Sequence, residues 1–358
     1  MEHDIKKVNY VLLGGNGYFG YNFVKYLTQQ IYLSTYLNIV VVDKNLDGID
    51  SFKNMPNISF IKCDLAFHTT QEGKSYYSVD IIKNINKKLV KGPVYLINFA
   101  AESFVDTSLK KPFLTTQNNI YEAITFCKLA DFFKKIEGSK IIHISTDEVF
   151  NKYEKVIYNR SSYSMSKDVI EDIVLNLVPE TIILRPSNLF GCFDYSDKNC
   201  IQRKPCVIKN LVNGIYKIHN KSVSRRFIHI NEACQTLHAL CEGKECENLD
   251  RVRVDMDYFN KVHIYVFNDD TEWNISELIE YVVAADGKEG LTDQAAAVIY
   301  LEYDPRDEKQ DYDYNTYYEI QCLEIIERQK TNIKKISLED IYEEIKRMRQ
   351  MFTKQNQS

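Results

Sequence analysis

From residue 10 to residue 184 the chain alternates short apolar, β-branched runs with longer stretches in which apolar residues return every third or fourth position. The runs at 10–13, 39–42, 58–61, 94–99, 140–144 and 181–184 show little polar alternation, which predicts strands buried on both faces of a parallel sheet. Residues 19–30, 114–135 and 163–177 read as helices. In the second of these, Ile120, Ala123, Ile124, Cys127 and Ala130 share one stripe. Strand, helix, strand in repetition predicts an α/β fold built on a doubly wound parallel sheet.

After Arg185 the pattern loosens into a loop containing Cys, Lys and Asp. A helix near 208–215, a strand near 262–267 and helices near 275–285 and 336–351 predict a smaller C-terminal α/β lobe packed on the sheet. The expected division is 1–190 for the sheet domain, 191–352 mainly for the lobe, and 353–358 for a flexible polar tail.

Composition narrows the partners. The chain has 45 Lys and Arg against 50 Asp and Glu, a formal charge of −5, with the cations dispersed, so no nucleic-acid surface is expected. Nine cysteines, an odd number without a CxxC pair, predict reduced buried thiols and no metal site. Met1-Glu-His-Asp leads into the first strand without a basic region or an apolar signal core, which predicts a cytoplasmic protein. No apolar stretch approaches the roughly 20 residues that span a bilayer, so no membrane association is expected.

Candidate chemistry begins at the first strand. Leu12-Leu-Gly-Gly-Asn-Gly-Tyr-Phe-Gly20 puts Gly14, Gly17 and Gly20 in a GxxGxxG spacing where a strand turns into a helix. Glycine is needed there for the turn, for close approach to a pyrophosphate and for helix–strand contact, and the helix start offers unpaired N–H groups to the anion. Asp43 ends the second strand, where a carboxylate accepts from both ribose hydroxyls and repels a 2′-phosphate, favouring NAD over NADP. Asp64, after the third strand, is placed either to meet the adenine edge or to stand as a solvated loop aspartate.

Farther on, Ser145-Thr-Asp-Glu-Val-Phe150 follows a predicted strand, and Tyr163-Ser-Met-Ser-Lys167 opens a predicted helix. A tyrosine and a lysine four residues apart, with two adjacent carboxylates, supply what removal of a hydride and then of water requires. Lys167, one helical turn from Tyr163, is expected to bring the phenol down from its usual value near 10 so that it acts as a base.

With Asn98-Phe-Ala-Ala-Glu-Ser-Phe-Val-Asp106, Asn118-Asn-Ile-Tyr121 and Arg185-Pro-Ser-Asn-Leu-Phe-Gly191, these motifs resemble the extended short-chain dehydrogenase/reductases. Within that family they are similar to the nucleotide-sugar 4,6-dehydratases that act on dTDP-glucose or UDP-glucose, and the Asn-Asn-Ile-Tyr stretch resembles plant rhamnose synthases. The likeness runs to about Asn315. It implies a Rossmann-type sheet, NAD as the cofactor, a nucleoside-diphosphate hexose as substrate, and a homodimer formed by the helices at 114–135 and 163–177. In the first of these, Phe126, Phe132 and Phe133 occupy more faces than one sheet can cover.

The resemblance also implies roles. Tyr163 takes the 4-hydroxyl proton with Thr146 bonded to the same oxygen, Glu148 takes the C5 proton, and Asp147, holding a proton, releases the 6-hydroxyl as water. Cofactor contacts carry over to Gly14, Gly17, Tyr18, Phe19, Gly20, Asp43, Asp64, Leu65, Phe99, Ala100, Ala101, Asn119, Tyr163 and Lys167. Substrate contacts carry over to Ser103, Asn188 and Arg225, with a helix cap as the alternative for Ser103 and a surface ion pair for Arg225.

The chain departs from the family pattern at Phe104, where relatives carry histidine, in a short segment between Phe150 and Tyr163, at Gly191-Cys-Phe-Asp194, at Val266, and at Asp304-Pro-Arg-Asp-Glu-Lys309. Two other readings stay open: a C4 epimerase or decarboxylase of the same fold, which needs no C5 base and C6 acid together, and a non-catalytic NAD-binding relative.

Overall fold

The computed structural model describes residues 7–30, 37–66, 77–149, 161–201, 206–218, 224–244, 249–252, 263–267, 272–288, 299–300 and 336–355. Its strands are β1 (Val8–Leu13), β2 (Leu37–Asp43), β3 (Ile58–Lys62), β4 (Val94–Asn98), β5 (Lys140–Ile144), β6 (Ile182–Pro186), β7 (Asn188–Phe190), β8 (Lys217–Ile218), β9 (Ser224–His229), β10 (Leu249–Val252), β11 (His263–Phe267), β12 (Glu272–Asn274) and β13 (Ile299–Tyr300). The helices are α1 (Tyr18–Gln29), α2 (Tyr77–Asn86), α3 (Val105–Lys110), α4 (Pro112–Phe133), α5 (Ser162–Leu177), α6 (Val207–Val212), α7 (Ile230–Glu242), α8 (Ile275–Lys288) and α9 (Leu338–Gln355).

The main sheet runs β10-β11-β6-β5-β4-β1-β2-β3. Every pairing in it is parallel except β10 with β11. Strand order reverses between β1 and β4, so a crevice opens beyond their carboxyl ends, where open α/β sheets bind ligands.

Pleating explains the continuous apolar runs. Tyr10 and Leu12 of β1 enter one core with Phe23 and Leu27 of α1 and Leu237 of α7, while Val11 and Leu13 enter the opposite core with Phe126 of α4 and Val174 of α5. Each such buried side chain contributes about 1.5–3 kcal/mol over leaving it exposed.

Three expectations change. β3 is half-exposed along most of its length because it is the outer strand of the sheet, not a strand covered on both sides. The strand expected at 262–267 belongs to the main sheet as β11, beside β6, so the sheet draws strands from beyond residue 190. The polar end expected from 353 as a loose tail continues α9 to Gln355, with the Thr353 hydroxyl donating to the Arg349 carbonyl.

A smaller sheet, β12-β9-β7, stands beside the carboxyl end of β6. α9 locks onto this half by two buried acids. Asp286 of α8 accepts from Arg349, Tyr342 and Tyr216, and Glu344 accepts from the Cys192 N–H and lies 3.2 Å from His229 Nε2. The seven cysteines among the described residues are free thiols, and no described helix is long and apolar enough to cross a membrane.

Candidate active site

The glycine turn is enforced by its surroundings. Gly14 has φ +68°, and a Cβ there would meet Ala100 N and Cα at 2.6 Å. Only glycine lets β1 turn against the loop after β4, which seats Phe99 and Ala100 beside it. A Cβ at Gly20 would meet Gly15 Cα at 2.6 Å, and one at Gly15, outside the GxxGxxG spacing, would meet Leu12 Cβ at 2.9 Å, a tighter approach than at Gly17. Phe19 packs edge-on against Phe99.

α1 starts at Gly17 with no side-chain cap and no acidic residue in its first turn. Its first N–H groups and the positive end of its dipole are thus left for an anion. Asp43 lies at the turn, its carboxylate accepting from the N–H of Asn16 and of Asn45, both at 3.0 Å. A glycine cradle, an uncapped helix start and a strand-end carboxylate together fit a dinucleotide.

Other expected cofactor residues are built differently. Tyr18 donates its hydroxyl to the Gly191 carbonyl at 2.8 Å, tying α1 to the loop after β7. Asn119 is buried, accepts from the Glu102 N–H at 2.7 Å and donates to Ser166 Oγ at 2.9 Å, so its amide joins the loop after β4 to α5. Asp64 is exposed and accepts from the Ala66 N–H. Leu65 beside it is buried, its carbonyl accepting from Thr125 of α4. Ala101 lies half-buried in the loop after β4.

The catalytic candidates converge at the carboxyl end of β5. Thr146, Asp147 and Tyr163 are buried and Glu148 half-buried. The Thr146 hydroxyl lies 3.3 Å from Asp147 Oδ1, accepts from the Glu148 N–H at 3.3 Å and bonds the Tyr163 phenol. That phenol is pushed well above its ordinary range, by burial first and then by the negative charges of Glu148 and Asp147. Both carboxylates therefore stand within electrostatic reach of the same hydroxyl.

Lys167 follows Tyr163 by one turn of α5, the placement expected of a cation that lowers the phenol. The buried ammonium donates to the Ile144 carbonyl at 2.8 Å, and burial brings it down to about 8 against the opposing pull of Glu122 and Glu171. Residues that motif spacing did not single out hold this end of the site. Glu171, one turn beyond Lys167, accepts from Ser145 Oγ and from Nε and Nη2 of Arg185, and Asn98 Nδ2 meets His143 Nδ1 at 3.0 Å beneath it.

The expected substrate contacts lie at the smaller sheet and at the loop after β4. Asn188 is exposed and donates to the Arg226 carbonyl at 3.2 Å, and β7 runs parallel to β9, which carries Arg225. Arg225 is paired in register with Trp273 and donates to the Ser224 carbonyl. Ser103 is exposed and does not cap α3, whose N-cap is Phe104 without a side-chain bond. Val266 lies within β11, opposite Arg185 of β6. The rest of the segment from Phe150 and the Asp304–Lys309 stretch, like Asn315, fall outside the described residues.

Residues 10–250 match the family model described as the NAD dependent epimerase/dehydratase family. The trifunctional UDP-glucose 4,6-dehydratase/UDP-4-keto-6-deoxy-D-glucose 3,5-epimerase/UDP-4-keto-L-rhamnose-reductase of Arabidopsis thaliana is 31% identical over 124 residues, 33% of this chain and 16% of the plant protein. The chain thus matches about a sixth of that relative's length. Among solved structures, the dTDP-glucose 4,6-dehydratase of Bacillus anthracis in complex with NAD superposes with TM-score 0.61 at 20% identity, covering 98% of each chain. The UDP-N-acetylglucosamine 4-epimerase of Methanobrevibacter ruminantium superposes with TM-score 0.62 at 20% identity over 98% of this chain and 99% of its own.

Proposed function

The chain belongs to the NAD dependent epimerase/dehydratase family, and from that premise we propose that it is a lyase, a 4,6-dehydratase of dTDP-glucose or UDP-glucose that retains NAD through each cycle. The observation that carries this reading is the pair Asp147 and Glu148, both acting on the buried phenol of Tyr163 beside Thr146.

When bound, NAD supplies a cationic hydride acceptor for C4 of the hexose and returns the same hydride to C6. Tyr163, acting as the phenolate, accepts the proton of the 4-hydroxyl, and Thr146 holds that oxygen. Because the neighbouring carboxylates disfavour the phenolate, keeping a proton on Asp147 removes one of two opposing charges and eases this step. Once C4 is a ketone, the C5 proton is acidic, and Glu148 removes it. Asp147 gives its proton to the departing 6-hydroxyl, which leaves as water. Glu148 returns its proton to C5 as hydride arrives at C6, and the proton taken from the 4-hydroxyl passes from Tyr163 to Asp147, so both groups are restored and the net change is loss of one water.

Lys167, the glycine turn and Asp43 would hold the cofactor, while Asn188, Ser103 and Arg225 would contact the sugar and diphosphate. We assign the half at 191–352 mainly to binding the nucleotide sugar, with Ser103 and Asn188 reaching it from the sheet domain. A homodimer through α4 and α5 belongs to the same reading: Phe126 and Phe133 are covered by the core, contrary to the expectation from their spacing, but Phe113, Leu114, Phe132, Met165, Val169 and Leu177 stay exposed on this helix pair.

A 4-epimerase shares the fold equally well by superposition. It has no use for both a C5 base and a C6 acid, which is why the dehydratase is preferred. Purified protein given each nucleotide glucose should form a product with a 4-ketone and a 6-methyl group by NMR, and Glu148→Gln should cut kcat by about 10²–10⁴. A product that keeps its 6-hydroxyl would refute the assignment.

A further inference from the structure

α4 carries a buried carboxylate that the roles assigned so far do not use. Glu122 is 4% exposed. Its Oε1 lies 3.6 Å from Nζ of Lys44, which sits just past Asp43 with its side chain half in solvent, and its Oε2 is buried with no hydrogen-bond partner among the described residues. Stripping a carboxylate oxygen of water without a bond is costly, on the order of 1–3 kcal/mol or more, unless a nearby charge compensates.

The helix pair supplies such a charge. Asn119, one turn before Glu122, donates to Ser166 of α5, and Lys167 is the next residue along. That bond joins α4 to α5, and the buried Glu122 and Lys167 flank it on the two helices. Burial pushes the Glu122 carboxyl up while Lys44 and then Lys167 pull it down, and Glu122 in turn favours the Lys167 cation against burial.

The remaining groups around Lys167 are committed elsewhere. Glu171 of α5 adds to the pull on Lys167, but its carboxylate is shared with Arg185 of β6 and Ser145, which bond it directly. His143 of β5 is held neutral by burial and by the charge of Lys167. Asp147 and Glu148, after β5, act on Tyr163. Asp64 and Glu102, after β3 and β4, act on Lys44, and Asp64 also opposes ionisation of Glu122. Among the described residues, the Lys167 ammonium bonds directly only to a neutral carbonyl.

We propose that Glu122 is a positioning residue for the reaction: its carboxylate is the counter-charge that keeps Lys167 cationic at the closed end of the pocket, and Lys44 at the solvent edge keeps Glu122 ionised. This rests on reading Tyr163 and Lys167 as the catalytic pair and adds a residue that acts through Lys167 alone. A cation in a low-dielectric site loses its proton readily when its counter-ion is removed. Lys167 titrates close enough to neutrality, at about 8, for that loss to show.

The test follows the side-chain carbon next to the amine by NMR in full-length protein labelled with ¹³C-lysine, with the Lys167 signal identified by its disappearance in Lys167→Met. Glu122→Gln should lower the Lys167 midpoint by about one pH unit, Glu122→Asp should restore most of the shift, and the pH profile of kcat/KM should move in the same sense. Glu122→Met gives the same expected shift if the glutamine variant does not fold. A folded neutral variant with an unmoved Lys167 midpoint overturns the proposal. Because the titration needs no turnover, a moved midpoint in a protein that forms no dehydrated product would count against the dehydratase reading and leave the role of Glu122 standing.

Discussion

A phenol that must act as a base is surrounded here by groups that keep it protonated. The Tyr163–Lys167 spacing in the sequence points to a cation lowering the phenol, and it does not by itself say what else the ammonium bonds. Lys167 donates to the Ile144 carbonyl, while the phenol is bonded by Thr146 and feels the charges of Glu148 and Asp147. What the sequence does reveal is the set of side chains the site brings together, since Thr146, Asp147 and Glu148 are contiguous. Glu122 and Glu171 are not legible in this way. Each is an acidic residue in a helix, indistinguishable in sequence from a solvated one until a distant partner, Lys44 or Arg185, is placed beside it. Gly14 gives the sharpest single-residue expectation. Gly14→Ala puts a Cβ into the Ala100 backbone at a positive φ, so it should destabilise the fold by about 2 kcal/mol or more and abolish NAD binding, read by thermal melting with and without NAD. An unchanged melting temperature and an undiminished NAD-induced rise would refute the account of the turn.

Elements with strong periodicity were legible and short ones were not. The long helices and the first six strands fall within a few residues of their expected positions because burial on a period of about 3.6 or along a continuous apolar run leaves a strong pattern. β7, β9 and β12 are brief and pair across long stretches of chain, Asn188 with Phe227 and Trp273 with Arg225, and no local pattern encodes such pairing. α7 is the instructive omission: Ile230, Ala233, Cys234, Leu237 and Cys241 lie on one buried stripe, but small and sulfur-bearing residues blunt its contrast.

The loop that follows β7 is tied to α1 by ions rather than by pattern. Lys25 lies 2.9 Å from Asp197 and 3.2 Å from Asp194, and the Tyr21 hydroxyl donates to Asp197 at 2.7 Å. Burial alone would raise Asp197, but the bonds from Tyr21, Lys25 and the Asn199 N–H bring it down to about 2. Its folded value is thus below the unfolded value near 3.9, so its contribution is present above about pH 4 and is lost as pH falls toward 2. Asp197→Asn should therefore lower stability to urea clearly at pH 6, with the gap to the parent narrowing as pH drops below about 4. A gap that widens with acid would contradict the network.

At the scale of the whole molecule, the crevice at the strand reversal gathers the glycine turn, Asp43 and the Tyr163 cluster at the carboxyl ends of a single sheet, while α9 meets the smaller sheet through Glu344 and α8 through Asp286. The uncovered apolar side chains of α4 and α5 lie on that same framework, and light scattering of the purified protein reads directly whether they join two copies. The central claim is that one hydride leaves C4 and comes back to C6 of the same sugar. Nucleotide glucose deuterated at C4 tests it most directly: the account expects the label in a singly deuterated 6-methyl group beside a 4-ketone, and deuterium found back on C4 of a hexose with its 6-hydroxyl intact would contradict it.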